Sequence, residues 1–265
     1  MTMSNPAASS RSPERVNEMP ADKPLYKAFA DYMYLTIDLA AKILGRSPFY
    51  VQRRFNTLHR FEDSRYLGRV QQSKFGLYLY FLAWRGGHQA FRYGYLPEPR
   101  HIQRTGSTKL YHDLAISEFH YLLESAGKNA GLTLAWKQWY ADLEDIHKLT
   151  DSYPDGRFGF VDYDHDGVFE MVRANESGSR AEEKNLTEKL PDYLAAGIER
   201  IYISLPTPER ADRYLQKLAD IPKAKSSKIW ITDEDSWRKE ILGPIWRTPK
   251  NYLDGRTYSI LKPEV

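Results

Sequence analysis

Apolar positions along the chain fall into two periodicities. Leu25, Phe29, Tyr32 and Met33 recur at helical spacing over 25–34. Leu39, Ala40, Ile43 and Leu44 form a second stripe, with Thr36 placed to cap it and Gly45 to end it. Ser47 then starts a third helix with Pro48 at its first position and Val51, Phe55 and Leu58 as its buried stripe. Two short helices joined by a tight glycine-containing turn are a helix-turn-helix pattern. Tyr66–Val70 and Leu77–Leu82 read as strands joined by a polar turn around Gln72, Ser73 and Lys74. A short helix is expected over 84–95.

The second half alternates differently. His112–Ala126 predicts an amphipathic helix, Leu132–Trp136 a short strand, and Arg157–Tyr163 and Val168–Ala174 a hairpin turning at Asp164-His165-Asp166-Gly167. A helix over 180–195 is expected to kink or end at Pro191. Ile201–Leu205, Pro208–Leu218 and Lys228–Ile231 read as strand, helix and strand. Phe158, Phe160, Val168, Val172, Ile201 and Ile203 are expected to share one core, and Trp230, Trp237 and Trp246 to anchor it. The fold class is mixed α/β (α+β). The expected division is a tail at 1–23, a basic domain at 24–97, a linker at 98–111 and an α/β domain at 112–265.

Composition narrows the function. The 265 residues contain no cysteine, which excludes disulfides and thiolate metal sites. No apolar run suits a bilayer, so no membrane partner and a cytoplasmic location are expected. The net charge of +3 is unevenly spread: twelve Lys or Arg against three acids between Arg46 and Lys109 make that window +9, so the remainder is −6. A basic lobe joined to an acidic one suggests that the first meets a polyanion.

Tyr50, Arg53, Arg54 and Thr57 stand at i, i+3, i+4 and i+7 of the third helix, and so are expected on one face toward the major groove of double-stranded DNA. Arg46, Ser47, Arg65, Arg69 and Lys74 are the expected flanking phosphate contacts. In the acidic lobe, Asp155, Glu170 and Glu176 are candidate carboxylates for Mg or Mn, and Lys189 the candidate cation beside them. Val172 occupies the place, two residues after Glu170, where nucleases of the PD…(D/E)xK type carry lysine. Little cleavage of plain duplex DNA is therefore expected. His112-Asp113 is read first as a helix cap. No His-hydrophobe-His triad or phosphate-cradling loop occurs.

The stretches YLTIDLAAKILGRSPFYVQRRFNTL, RYLGR, GGHQAF, YHDLAISEFHYLL, YPDGRF, EKLPDYL, TPERADRYLQKL and KIWITDEDSW resemble, in order and spacing, the replication-relaxation family of plasmids and other mobile elements. The resemblance runs from about Leu25 to Leu261. It implies a winged helix followed by a restriction-endonuclease-like α/β domain, and a role in plasmid replication or mobilisation. Three readings stay open. The leading one is a DNA-binding protein acting in replication, mobilisation or their regulation, needing no cofactor and allowing a homodimer. The second is a metal-dependent nuclease or nicking enzyme. The third is an adaptor that recruits a relaxase or replication protein.

Overall fold

A computed structural model describes residues 20–60, 65–71, 78–101, 110–161, 163, 165–172 and 179–261. The chain divides into two compact units, residues 1–104 and 105–265. Both mix helix and strand, and no described helix is long and apolar enough to cross a membrane.

The first unit runs α1 (Lys23–Tyr32), α2 (Ile37–Leu44), α3 (Pro48–His59), β1 (Leu67–Gln71), β2 (Tyr78–Leu82) and α4 (Trp84–Arg92). The Thr36 hydroxyl accepts from the Leu39 amide, and Gly45 closes α2 at φ 59°, a conformation suited to glycine. Ser47 Oγ accepts from the Tyr50 amide to start α3. β1 and β2 pair antiparallel, with Leu67 opposite Leu82. Leu35 exchanges both backbone hydrogen bonds with Tyr80, so a third short segment joins the hairpin between α1 and α2. Phe29, Phe55 and Tyr80 meet as tilted ring pairs in the core, with centroids 5.4 and 4.6 Å apart. Gly86 and Gly87 lie inside α4. A Cβ on Gly86 would come within 2.0 Å of the Tyr66 carbonyl oxygen, and one on Gly87 within 1.8 Å of that of Arg100.

The second unit runs α5 (Leu110–Asn129), β3 (Leu134–Lys137), α6 (Glu144–Thr150), β4 (Gly156–Phe160), β5 (His165–Met171), α7 (Ser179–Ala195), β6 (Ile201–Leu205), α8 (Pro208–Lys217), α9 (Lys223–Ser226), β7 (Ile229–Asp233) and α10 (Glu234–Glu240). The sheet has the order β3-β4-β5-β6-β7: the first two pairings are antiparallel and the last two parallel. Each parallel pair is joined through helices, as its geometry requires.

The expected single core is two cores. Val168, Val172, Ile201 and Ile203 pack with Leu186, Leu190 and Tyr193 of α7 on one face of the sheet. Phe158 and Phe160 pack with Phe119 of α5, Trp237 and Trp246 on the other. Alternation along a strand sends neighbours to opposite faces, and both faces are covered. The Asp-Gly turn is also corrected. Phe160 pairs with His165, so the connection lies before Asp166-Gly167. Gly167 sits within β5, where a Cβ would stand 2.6 Å from the Tyr202 ring. β5 ends at Met171, short of the expected Ala174. α7 continues through Pro191, which is exposed.

Candidate functional site

The β4–β5 ladder sets the geometry of the second unit's polar cluster. Gly156 pairs with Phe169, which brings Asp155, one residue earlier, beside Glu170. The Met171 amide donates to Asp155 Oδ2 at 2.8 Å and holds the carboxylate against the strand. Glu170 lies between Val168 and Val172 on the face that α7 covers, and is 5% exposed. Lys189 and Tyr193 stand one turn apart on α7, so both reach the same point. Lys189 Nζ donates to both Glu170 oxygens, at 2.9 and 3.1 Å, and to the Tyr153 carbonyl at 3.1 Å. The Tyr193 hydroxyl donates to Glu170 Oε1. Pro191 leaves this reach intact.

His112, in the first turn of α5, does not act as a simple cap. Its Nδ1 lies 3.2 Å from Asp113 Oδ1 and its Nε2 3.0 Å from Asp155 Oδ2. His112, Asp155, Glu170, Asn185 and Lys189 thus line one cavity of about 190 Å³, with Val172 and Leu186 as apolar walls.

Burial and charge act in opposite directions here. Burial pushes Glu170 upward, and the Asp155 charge adds to it. The Lys189 charge and the Tyr193 hydrogen bond oppose them, leaving Glu170 at about 7. Burial alone would raise Asp155 too, but the His112 charge and hydrogen bond prevail and lower it. Burial would lower His112, yet Asp155 and Asp113 hold it well above its ordinary value. Lys189 is likewise raised, against its burial, by Glu170 and Asp155. Around Asp155 the cluster thus favours the charged forms of His112, Lys189 and Asp155, and makes Glu170 the carboxylate that takes up a proton first.

Asp155 and Glu170 are hard oxygen donors beside an open cavity, a set that suits Mg or Mn when phosphate and water complete the shell. Glu176, the third expected carboxylate, lies outside the described residues, and no group of three metal-ligating side chains occurs among those described.

In the first unit, α3 presents a different face from the one expected. Arg54 is buried: its Nε and Nη2 donate to Asp22 at 2.9 and 2.5 Å. It is a structural ion pair and not a groove contact. The Thr57 hydroxyl turns back to the Arg53 carbonyl, and Ser47 is occupied as the cap. The exposed face carries Phe49, Tyr50, Gln52, Arg53 and Asn56. Arg46 lies 6.0 Å from the Tyr50 ring, and Arg69 of β1 lies 4.3 Å over the Tyr78 ring. Arg65 is exposed, and Lys74 lies outside the described residues.

Sequence reasoning missed Phe49, Gln52 and Asn56 on α3, and Tyr193 behind Glu170. Gln52 and Asn56 are a turn apart at i, i+4, and so are Lys189 and Tyr193; each spacing marks a shared helix face. No family model, no curated protein and no solved structure matches this chain.

Proposed function

We propose that the chain is a DNA-binding protein of a mobile element, acting in replication, mobilisation or their regulation. The observation that supports this most is the exposed face of α3. A helix capped at its N-terminus, following a tight turn and preceding a basic hairpin, offers Gln52, Arg53 and Asn56 outward. Arginine suits guanine edges, and the two amides suit adenine. With the Leu35 bridge, the order of elements supports a winged helix, in which Arg65 and Arg69 would serve as flanking phosphate contacts. Arg53→Glu with Asn56→Ala should weaken binding to a preferred duplex by about 1–3 kcal/mol per lost contact. Wild-type binding should also fall steeply with salt. Duplex affinity that ignores both the substitutions and the salt would exclude this reading.

The cavity favours a second reading, metal-dependent phosphodiester cleavage. Four ionisable side chains from a helix start, a strand start, a strand and a second helix converge there, across 77 residues of sequence from His112 to Lys189. The order α5-β3-α6-β4-β5-α7-β6, with antiparallel strands followed by a helical crossover to a parallel one, supports the restriction-endonuclease-like reading that the family resemblance implies. Asp155 and Glu170 would hold Mg or Mn, which supplies Lewis acidity and a more acidic bound water. Lys189 is placed to balance charge developing on a phosphate, in the role expected of the lysine absent at Val172. His112, held protonated between two carboxylates, can give a proton to a leaving oxygen. Incubation of supercoiled plasmid with Mg or Mn tests this. Nicking lost in both Asp155→Ala and Lys189→Met supports it; nicking that survives both, or none in the wild type, removes it.

A further inference from the structure

We infer that the outer face of α4 is a stacking site for single-stranded DNA, separate from the duplex-facing α3. The helix is inverted in its use of side chains. It buries Gly86, Gly87 and Ala90, its smallest residues, and turns its largest outward. Trp84 is 60% exposed and Phe91 43%. They stand with the half-buried His88 at i, i+4 and i+7, one stripe along the helix. The His88 ring lies against that of Trp84, with centroids 4.1 Å apart. The small inner face explains the arrangement. The glycines let α4 lie directly on the Tyr66 and Arg100 backbone, so no large side chain is needed to fix it. The outward aromatics are therefore not required to hold the helix in place.

Charge selects the occupant. Arg85 and Arg92 flank the stripe, both exposed, and no acid occurs between Asp63 and Glu98. A second copy docked through this face would gather four arginines without a carboxylate from either helix, which disfavours self-association. An unstacked nucleic-acid strand offers what this surface lacks: phosphates for the arginines and base faces for the rings. Base–aromatic stacking beside a basic track is the usual basis of sequence-tolerant single-strand binding. A duplex keeps its bases stacked internally and cannot use the rings in this way.

The full-length protein should be titrated against a labelled oligo-thymidine strand and against a labelled duplex, with sedimentation to follow its own association. Trp84→Ala and Phe91→Ala should each weaken oligo-thymidine binding on the order of 10-fold while leaving duplex affinity unchanged. Arg85→Glu with Arg92→Glu should weaken oligo-thymidine binding further and reduce its salt dependence. The exposed position of Trp84 should leave the unfolding midpoint of Trp84→Ala unchanged, so lost binding is not lost folding. Oligo-thymidine binding that is absent, or unaffected by the ring substitutions, overturns the inference. So does an equal loss on duplex DNA, or an effect confined to self-association.

Discussion

Lys189 bridges both carboxylate oxygens of Glu170, at 2.9 and 3.1 Å, from a helix that begins after the strand carrying Glu170 has ended. The pair places a cation over an acid that the sheet and α7 otherwise surround with apolar side chains. Glu170 would be costly to ionise there without Lys189 and Tyr193. The same pair makes the cluster sensitive to pH.

Stability should fall as pH rises from about 5 to 8. Glu170 titrates at about 7 in the fold, above its ordinary 4.5, so the unfolded chain releases that proton first. Between about pH 4.5 and 7 this group alone costs the native state on the order of 3 kcal/mol in total. His112, raised above 6.5, adds stability that is present below that value and lost as pH climbs through its folded pKa. Asp155, lowered below 3.8, contributes above that value and fails only in stronger acid. Urea titrations at several pH values should show this slope, and Glu170→Gln should flatten its part between pH 5 and 7. A wild-type stability that climbs from pH 5 to 8 would contradict the assignment.

Arg53 and Arg54 should behave as different residues although they are neighbours. Arg54→Ala removes the guanidinium that pairs with buried Asp22, a change that typically costs about 3–5 kcal/mol. Arg53→Glu is a surface change and should shift stability by no more than about 0.5 kcal/mol. Asp22→Leu combined with Arg54→Met should recover part of the loss, because a buried ion pair contributes little beyond an apolar pair of similar size. Equal denaturant midpoints for Arg53→Glu and Arg54→Ala would refute the buried pair.

The helices and strands were largely legible because local signals and burial agree. Thr36, Gly45, Ser47 and Pro48 mark helix ends by backbone chemistry that needs no tertiary partner. α6 and α10 were not legible: at seven residues each they are too short to show a period. Arg54 misled because helical spacing defines a face but not what lies opposite it, and Asp22 is 32 residues away. Asp166-Gly167 misled because the glycine answers to the Tyr202 ring across the sheet and not to a turn. In the cavity, Asp155, Glu170 and Lys189 stood out as charged residues in strand and helix patterns. Tyr193 drew no notice and His112 looked like a cap; the fold brings the first to Glu170 and the second to Asp155.

Phe160 and Gly127 should be energetically coupled. Phe160 is 2% exposed, and a Cβ on Gly127 of α5 would stand 2.7 Å from its ring. Phe160→Ala should cost about 3–5 kcal/mol through lost burial and the cavity left behind. Gly127→Ala should cost about 1–3 kcal/mol by overpacking, after allowing for its better helix propensity. In the Phe160→Ala background the glycine substitution should become neutral or favourable, since the ring that it strikes is gone. Strict additivity across the four proteins, measured by urea unfolding, would show that α5 does not close on Phe160.

Tyr193→Phe should raise the Glu170 pKa while preserving the fold. The change removes one hydroxyl from a fully buried ring and leaves its packing with Leu186 and Leu190 in place. What it deletes is a hydrogen bond to the charged form of Glu170, which acts to lower that acid's pKa. A bond worth about 1–1.5 kcal/mol corresponds to a rise of roughly one pH unit. Lys189→Met removes a full charge together with its bonds to both oxygens, so its effect should have the same sign and be larger. In both variants the decline of stability with pH should extend above pH 7, since the folded acid keeps its proton longer while the unfolded one does not. Carboxyl-carbon NMR titration of Glu170 measures the shift directly. A Glu170 pKa unmoved in Tyr193→Phe, or lowered in Lys189→Met, would mean that α7 does not hold this carboxylate in solution.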